Sequence, residues 1–101
     1  MSSRRKPPPL IKRHSAYYVY MLECADGTYY TGYTNDVEAR VRRHNAGNGS
    51  TYVRSKLPAS LVYVKEYRYY KNAVRTERIL KKLRHWQKEE LVRSYAHGNM
   101  R

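Results

Sequence analysis

A chain of 101 residues suits one small domain, and its 21 Lys plus Arg against 8 Asp plus Glu give a net charge of +13. That excess is well beyond the ~2–8 that solubility alone asks of a small domain, and it favours a polyanionic partner, because phosphate contacts release condensed counterions. One cysteine excludes an internal disulfide and fits a reducing, intracellular and cytoplasmic setting; no apolar run is long enough for a membrane span or a signal peptide.

Residues 1–15 read as a basic, proline-rich tail. Arg4-Arg5-Lys6 precedes Pro7-Pro8-Pro9 and Lys12-Arg13, a pattern that favours extended polyproline rather than helix. It serves either as a basic arm on nucleic acid or as a solvated terminus. A single domain is expected over residues 16–96, with residues 97–101 as a C-terminal tail.

Residues 17–24 and 28–34 are dense in strand formers, and Ala25-Asp26-Gly27 between them is a turn signal. The loop length matters. A two-residue loop, Asp26-Gly27, would pair Tyr20 with Tyr33 and send Tyr20 and Tyr30 to opposite faces, since side chains alternate along a strand. A three-residue loop pairs Cys24 with Thr28 and Tyr20 with Gly32, and both rings then share a face. Such a loop puts its last residue in the left-handed region, where glycine costs least, and Gly27 is there. The three-residue loop is therefore expected, with open space in front of Tyr20 opposite Gly32.

A helix should follow. Asn35 and Glu38 have capping-box spacing, Val37 and Val41 repeat at i, i+4, and Gly47-Asn48-Gly49 ends it. Residues 50–58 read as an irregular loop and residues 61–67 as a third strand. Asn72 is placed to cap a second helix over about 73–84, with Ala73, Val74, Leu80 and Leu83 as its apolar side. A third short helix is expected around 88–95. The order β-β-α-β-α-α describes an α+β fold, a small three-stranded mixed or antiparallel sheet flanked by helices.

Arg40 and His44 are i, i+4 and lie on one helix face. There they serve as phosphate contact and proton donor or water-positioning group, or simply as part of a solvated face with Arg42 and Arg43. Glu77 is the single acid between Glu66 and Glu89. It either pairs with Lys81 at i, i+4, worth a few tenths of a kcal/mol, or ligates a divalent cation. The four histidines and Cys24 are too scattered for a zinc set, Cys24 reads as a structural thiol, and no phosphate-cradling glycine loop is present.

Tyr18-Val19-Tyr20, followed ten residues on by Tyr30-Thr31-Gly32, resembles the paired motifs of the GIY-YIG nuclease family. Tyr18 stands where glycine is usual, and Val19 and Thr31 where isoleucine is. Arg40, His44 and Glu77 follow at family spacing, so the resemblance covers about residues 17–85. It is greatest to small stand-alone members and more distant to the nuclease domain of the excision-repair protein UvrC. The resemblance implies a metal-dependent DNA endonuclease, with a role in DNA repair or recombination. Glu77 would hold one divalent metal ion, Mg²⁺ or Mn²⁺, while Tyr20, Tyr30, Arg40 and His44 surround the scissile phosphate. Tyr20 is the favoured general base, its acidity raised by Arg40, and Tyr30 a positioning donor. Arg43, Arg54, Lys56, Lys81 and Lys82 would grip the nucleic-acid backbone without reading sequence. DNA is the expected partner, RNA an alternative one, and a second protein a possible source of targeting. The rival reading is a basic nucleic-acid-binding module without hydrolysis.

Overall fold

Tyr17–Glu23 (β1) and Tyr29–Thr34 (β2) form the antiparallel hairpin, with Tyr20 opposite Gly32 and Leu22 opposite Tyr30. The computed structural model describes residues 16–98, and the N-terminal arm and residues 99–101 lie outside that range. The turn closes as the three-residue loop requires: Gly27 has φ +86°, its N–H donates to the Cys24 carbonyl at 2.9 Å, and the Cys24 N–H donates to the Thr28 carbonyl at 2.8 Å. Asp26 secures the loop by accepting from both the Thr28 N–H and the Thr28 hydroxyl.

Ser60–Tyr67 (β3) pairs antiparallel with β1 on its other side, so the sheet order is β2-β1-β3 and the sheet is wholly antiparallel. The β1–β3 register shifts between Met21, opposite Tyr63, and Leu22, opposite Leu61. Val62 is the extra residue, and the bulge lets Val62 and Tyr63 both pack into the same cluster. Central β1 is covered on both faces. Val19, Tyr20, Met21 and Leu22 are all fully buried, which is why this strand reads as a continuous run rather than an alternating one. Each such burial contributes roughly 1.5–3 kcal/mol, far more than any surface ion pair here.

Val37–Asn45 (α1) and the short Thr51–Arg54 (α2) lie on the face carrying Tyr20, Leu22 and Cys24, where Val41, Val53, Leu57 and Ala59 pack. Tyr70–Lys81 (α3) and His85–Gly98 (α4) cover the opposite face, where Val19, Met21 and Tyr63 meet Ala73, Leu80, Leu91 and Tyr95. Cys24 is a buried free thiol in the first cluster, and burial pushes its pKa up, as befits a packing residue.

Several expectations are corrected. The α1 N-cap is Asp36, whose carboxylate accepts from the Ala39 N–H at 3.1 Å, not Asn35. Residues 50–58 are not wholly irregular, because the Ser50 hydroxyl caps α2 by accepting from the Tyr52 N–H at 3.0 Å. Helix α3 starts at Tyr70 with no side-chain cap, so Asn72 lies inside it, and Val74 lines an outer cavity rather than the core. Helix α4 is longer than expected. Gln87 accepts from the Arg84 N–H at 2.8 Å and starts it early, and it runs through His97 and Gly98, which had been assigned to a tail.

Candidate active site

Tyr20 and Tyr30 share a face because the three-residue loop sets the register; their ring centroids are 6.4 Å apart. They line one cavity of about 240 Å³ together with Gly32, Tyr33, Arg40 and Glu77. The lining draws on both faces of the sheet. Tyr20, Tyr30 and Arg40 come from the α1 side, whereas Tyr33 and Glu77 come from the side that α3 covers. The cavity therefore opens at the edge strand β2, where Gly32 presents no side chain. Gly32 does not leave free space in front of Tyr20. A Cβ on Gly32 would stand 2.7 Å from Tyr20 Oη, so the phenol itself occupies the gap.

His44 stands behind Tyr20 rather than in the cavity lining. Its Nε2 is 3.0 Å from Tyr20 Oη, and its Nδ1 accepts the Ser50 N–H at 3.3 Å. Burial lowers the His44 pKa, with help from Arg40 and Arg43, so the ring is neutral at physiological pH. With Nδ1 engaged as an acceptor, the one ring proton belongs on Nε2. His44 thus donates to Tyr20 Oη, and the phenol proton of Tyr20 is directed elsewhere.

The expectation that positive charge acidifies Tyr20 is reversed. Its pKa is pushed up to about 12, first by burial and then by the neighbouring Tyr30, and Arg40 only partly offsets this. A phenol held neutral in this way is a hydrogen-bond donor.

Two backbone features hold His44 in place. Helix α1 ends with Gly47 at φ +84°, where the Gly47 N–H donates to the His44 carbonyl and the Asn48 N–H to the Arg43 carbonyl at 2.9 Å. Gly49 has a different duty: a Cβ there would lie 2.3 Å from His44 Nδ1. Asn45 braces the same helix end, donating to the Ala59 carbonyl at 3.0 Å and accepting the Ala59 N–H at 2.9 Å.

Glu77 is nearly buried, with its side chain 12% exposed, and its carboxylate pairs with Lys81 at 2.9 Å. Among the described residues no three His, Cys, Asp or Glu come together. The chain therefore offers one carboxylate to a cation, backed by the hydroxyls of Tyr20, Tyr30 and Tyr33 in the same cavity.

The residues expected to grip a nucleic-acid backbone have different surroundings. Lys56 is tied to Asp26 at 3.2 Å and lies over the Tyr52 ring, so it fastens the hairpin turn. Lys81 is held by Glu77, and Lys82 lines a separate cavity on α3. Arg43 and Arg54 are exposed on α1 and α2 and line neither cavity. Sequence reasoning missed Tyr33 and Gly49. Tyr33 projects from the opposite face and carried no face-sharing signal. Gly49 was read only as a helix stop, although Gly47 already fills that role. Thr31, between Tyr30 and Gly32, buries a hydroxyl that has no partner among the described residues, a cost its position in the strand imposes.

Comparison with known proteins identifies the relatives of this chain. Residues 16–90 match the family model of the GIY-YIG catalytic domain. A UPF0213 protein of Halobacterium salinarum is 47% identical over 75 residues, covering 74% of this chain and 97% of its own. A UPF0213 protein of Streptococcus pneumoniae is 40% identical over 87 residues, covering 86% of this chain and 87% of its own. Among solved structures, the solution NMR structure of a UPF0213 protein from Bacillus halodurans has a TM-score of 0.51 at 43% identity, covering 76% of this chain and 82% of that one. The solution NMR structure of a protein from E. faecalis has a TM-score of 0.57 at 31% identity, covering 85% and 92%. With both motif tyrosines, Arg40 and Glu77 around one cavity, and a family match across most of its length, the chain belongs to the GIY-YIG nuclease family.

Proposed function

We propose that this protein is a metal-dependent endonuclease that hydrolyses phosphodiester bonds in DNA. The observation that carries the reading is the convergence of Tyr20, Tyr30, Arg40 and Glu77, from four separate elements, on one phosphate-sized cavity. A site with a single carboxylate suits a hard cation that keeps most of its shell as water and substrate oxygens, which points to Mg²⁺ or Mn²⁺ rather than to zinc. Glu77 would hold it, and Lys81, whose side chain is half exposed, can swing its ammonium into solvent when the cation arrives. The bound ion would supply Lewis-acid stabilisation of charge on the phosphate.

The chain's own groups divide the remaining work. Arg40 places a guanidinium against the non-bridging oxygens, where charge grows in the transition state. Tyr20, its oxygen accepting from His44, donates its phenol proton to a phosphate oxygen. Tyr30, half-buried and facing the same cavity, accepts a hydrogen bond from the attacking water and orients it toward the phosphorus. A role in DNA repair or recombination accords with phosphodiester hydrolysis and is part of the proposal.

Glu77→Gln should fold normally and still bind DNA while losing Mg²⁺- or Mn²⁺-dependent nicking of supercoiled plasmid. Nicking that persists in this variant would overturn the assignment of Glu77. The Glu77–Lys81 pair also suits a module that binds nucleic acid without cutting it. That reading gains if the wild-type protein shifts DNA in a salt-sensitive way yet never nicks it, and competition with RNA then identifies the preferred ligand.

A further inference from the structure

Helix α3 carries a second cavity on its outer side, about 400 Å³ in volume, lined by Tyr70, Val74, Ile79 and the cations Lys71, Arg75, Arg78 and Lys82. The four cations fall at i, i+4, i+7 and i+11, a stripe along one side of the helix. Lys71, Arg75, Arg78 and Lys82 are all exposed, and none is in an ion pair among the described residues. Exposed apolar groups flank the stripe, Ile79 on one side at 55% exposed and Tyr70 on the other at 52%. A cationic stripe bordered by an aromatic ring matches a ligand with an anionic chain and a flat apolar group beside it.

The position of this cavity adds the second argument. Tyr70 hydrogen-bonds through its hydroxyl to that of Tyr33 at 3.1 Å, and Tyr33 lines the cavity that holds Tyr20, Arg40 and Glu77. The Tyr33–Tyr70 pair is thus the wall common to the two cavities. Tyr70 is held edge-on by Tyr17 and Tyr33, with centroids at 5.5 and 5.7 Å, so its ring is fixed before any ligand arrives. A strand with its scissile phosphate in the first cavity would meet the α3 stripe on crossing this wall.

We propose that the outer cavity of α3 is a subsite for an unstacked nucleotide next to the scissile phosphate, with Tyr70 as the platform for its base and Lys71, Arg75, Arg78 and Lys82 as contacts for its phosphates. This rests on the nuclease reading for the word scissile, but not for binding itself. The subsite gives the enzyme a preference for substrates with a locally single-stranded segment, because a base within an intact duplex cannot lie on Tyr70.

The test uses the full chain, without divalent metal, and two fluorescent probes of equal length: single-stranded oligo-dT and the same sugar-phosphate chain lacking bases. Wild-type protein should bind oligo-dT about tenfold more tightly than the abasic chain. Tyr70→Ala should bind both equally, and Tyr70→Phe should restore the difference. Arg75→Ala with Arg78→Ala should lower the slope of log affinity against log salt by about 1.4, at about 0.7 per phosphate contact, and, in a separate assay with Mg²⁺, raise KM for nicking more than it lowers kcat. Lys65→Ala with Lys88→Ala removes the same charge elsewhere and controls for the general field. Equal binding of both probes by wild-type protein, or an Arg75 and Arg78 double variant that behaves like the control, overturns the subsite whether or not the protein nicks DNA. Base-dependent binding through Tyr70 without any nicking supports the subsite and counts against the nuclease reading alone.

Discussion

Tyr20 is the residue at which burial and charge oppose each other most directly. An unfolded tyrosine ionises near pH ~10, whereas in the fold Tyr20 resists ionisation up to about 12. Between those values the unfolded chain has lost a proton that the native chain keeps, so native stability must fall as pH climbs through that window. His44 has the opposite limb. Its depressed pKa means that the unfolded chain takes up a proton first as pH drops below ~6.5, and stability falls there too. Denaturant titrations across pH should therefore show losses on both sides of neutrality. The stability difference between wild type and Tyr20→Phe should shrink as pH rises above ~10; a difference that stays constant to high pH would show that Tyr20 is not held neutral by burial. Gly49 allows a sharper dissection. Gly49→Ala sets a methyl 2.3 Å from His44 Nδ1, and it should cost about 1–3 kcal/mol and reduce kcat for nicking at least tenfold by moving the ring that supports Tyr20. Gly47→Ala, strained at φ +84° but clear of the imidazole, should cost ~1 kcal/mol while leaving kcat nearly intact. Equal losses of kcat in the two variants would remove the positioning role of Gly49.

Among the elements, the hairpin was the most legible in the sequence, because a glycine in the left-handed region fixes loop length, and loop length fixes which rings share a face. The start of α1 was less so. Asn35 and Asp36 both suit an N-cap, and only the backbone shows that Asp36 is the residue in extended conformation whose carboxylate reaches the Ala39 N–H. Asp36→Ala should accordingly destabilise the protein by ~1 kcal/mol, whereas Asn35→Ala should be near neutral; thermal or urea unfolding of the two variants checks this, and the reverse ranking would contradict the observed cap. Helix α3 was expected, but its start was placed three residues late for another reason. Its first turn is held by the Tyr69 carbonyl accepting from Asn72 and Ala73 N–H groups and by Tyr70 packing on Tyr17 and Tyr33, contacts that span the sheet and leave no local trace. The same long-range packing brings Tyr33 to the cavity that Tyr20, Arg40 and Glu77 line. Helix α2 was missed because four residues are too few for periodicity to show. Tyr20 and Tyr30 were legible because the hairpin register puts them on one face, and Arg40 and Glu77 through their place in the family resemblance. The parts of the site that depend on how elements meet, Gly49 against His44 and Tyr33 against Tyr70, were not.

For the whole molecule the decisive quantity is the excess of +13, which makes binding to any polyanion easy and selective chemistry hard. Glu77 is where the two requirements meet, because a carboxylate beside a bound phosphate opposes the field of everything around it. In the absence of divalent metal, Glu77→Gln should therefore bind duplex DNA more tightly than wild type. It removes one negative charge from the cavity and frees Lys81 from its 2.9 Å ion pair. If Lys81 then turns to the substrate, the magnitude of the salt slope rises by about 0.9, the contribution of one extra phosphate contact on B-DNA. Adding Mg²⁺ should reverse the order. The wild-type carboxylate becomes a ligand and the repulsion becomes a bridge, so wild-type affinity should rise, while Glu77→Gln should respond only as far as Mg²⁺ screens charge in general. Fluorescence anisotropy with an uncleavable phosphorothioate duplex, at constant ionic strength and with Mg²⁺ varied, separates these effects. Parallel responses of the two proteins to Mg²⁺ would mean that Glu77 is a partner for Lys81 and nothing more. A crossing of the two curves would locate the metal's contribution at this one carboxylate.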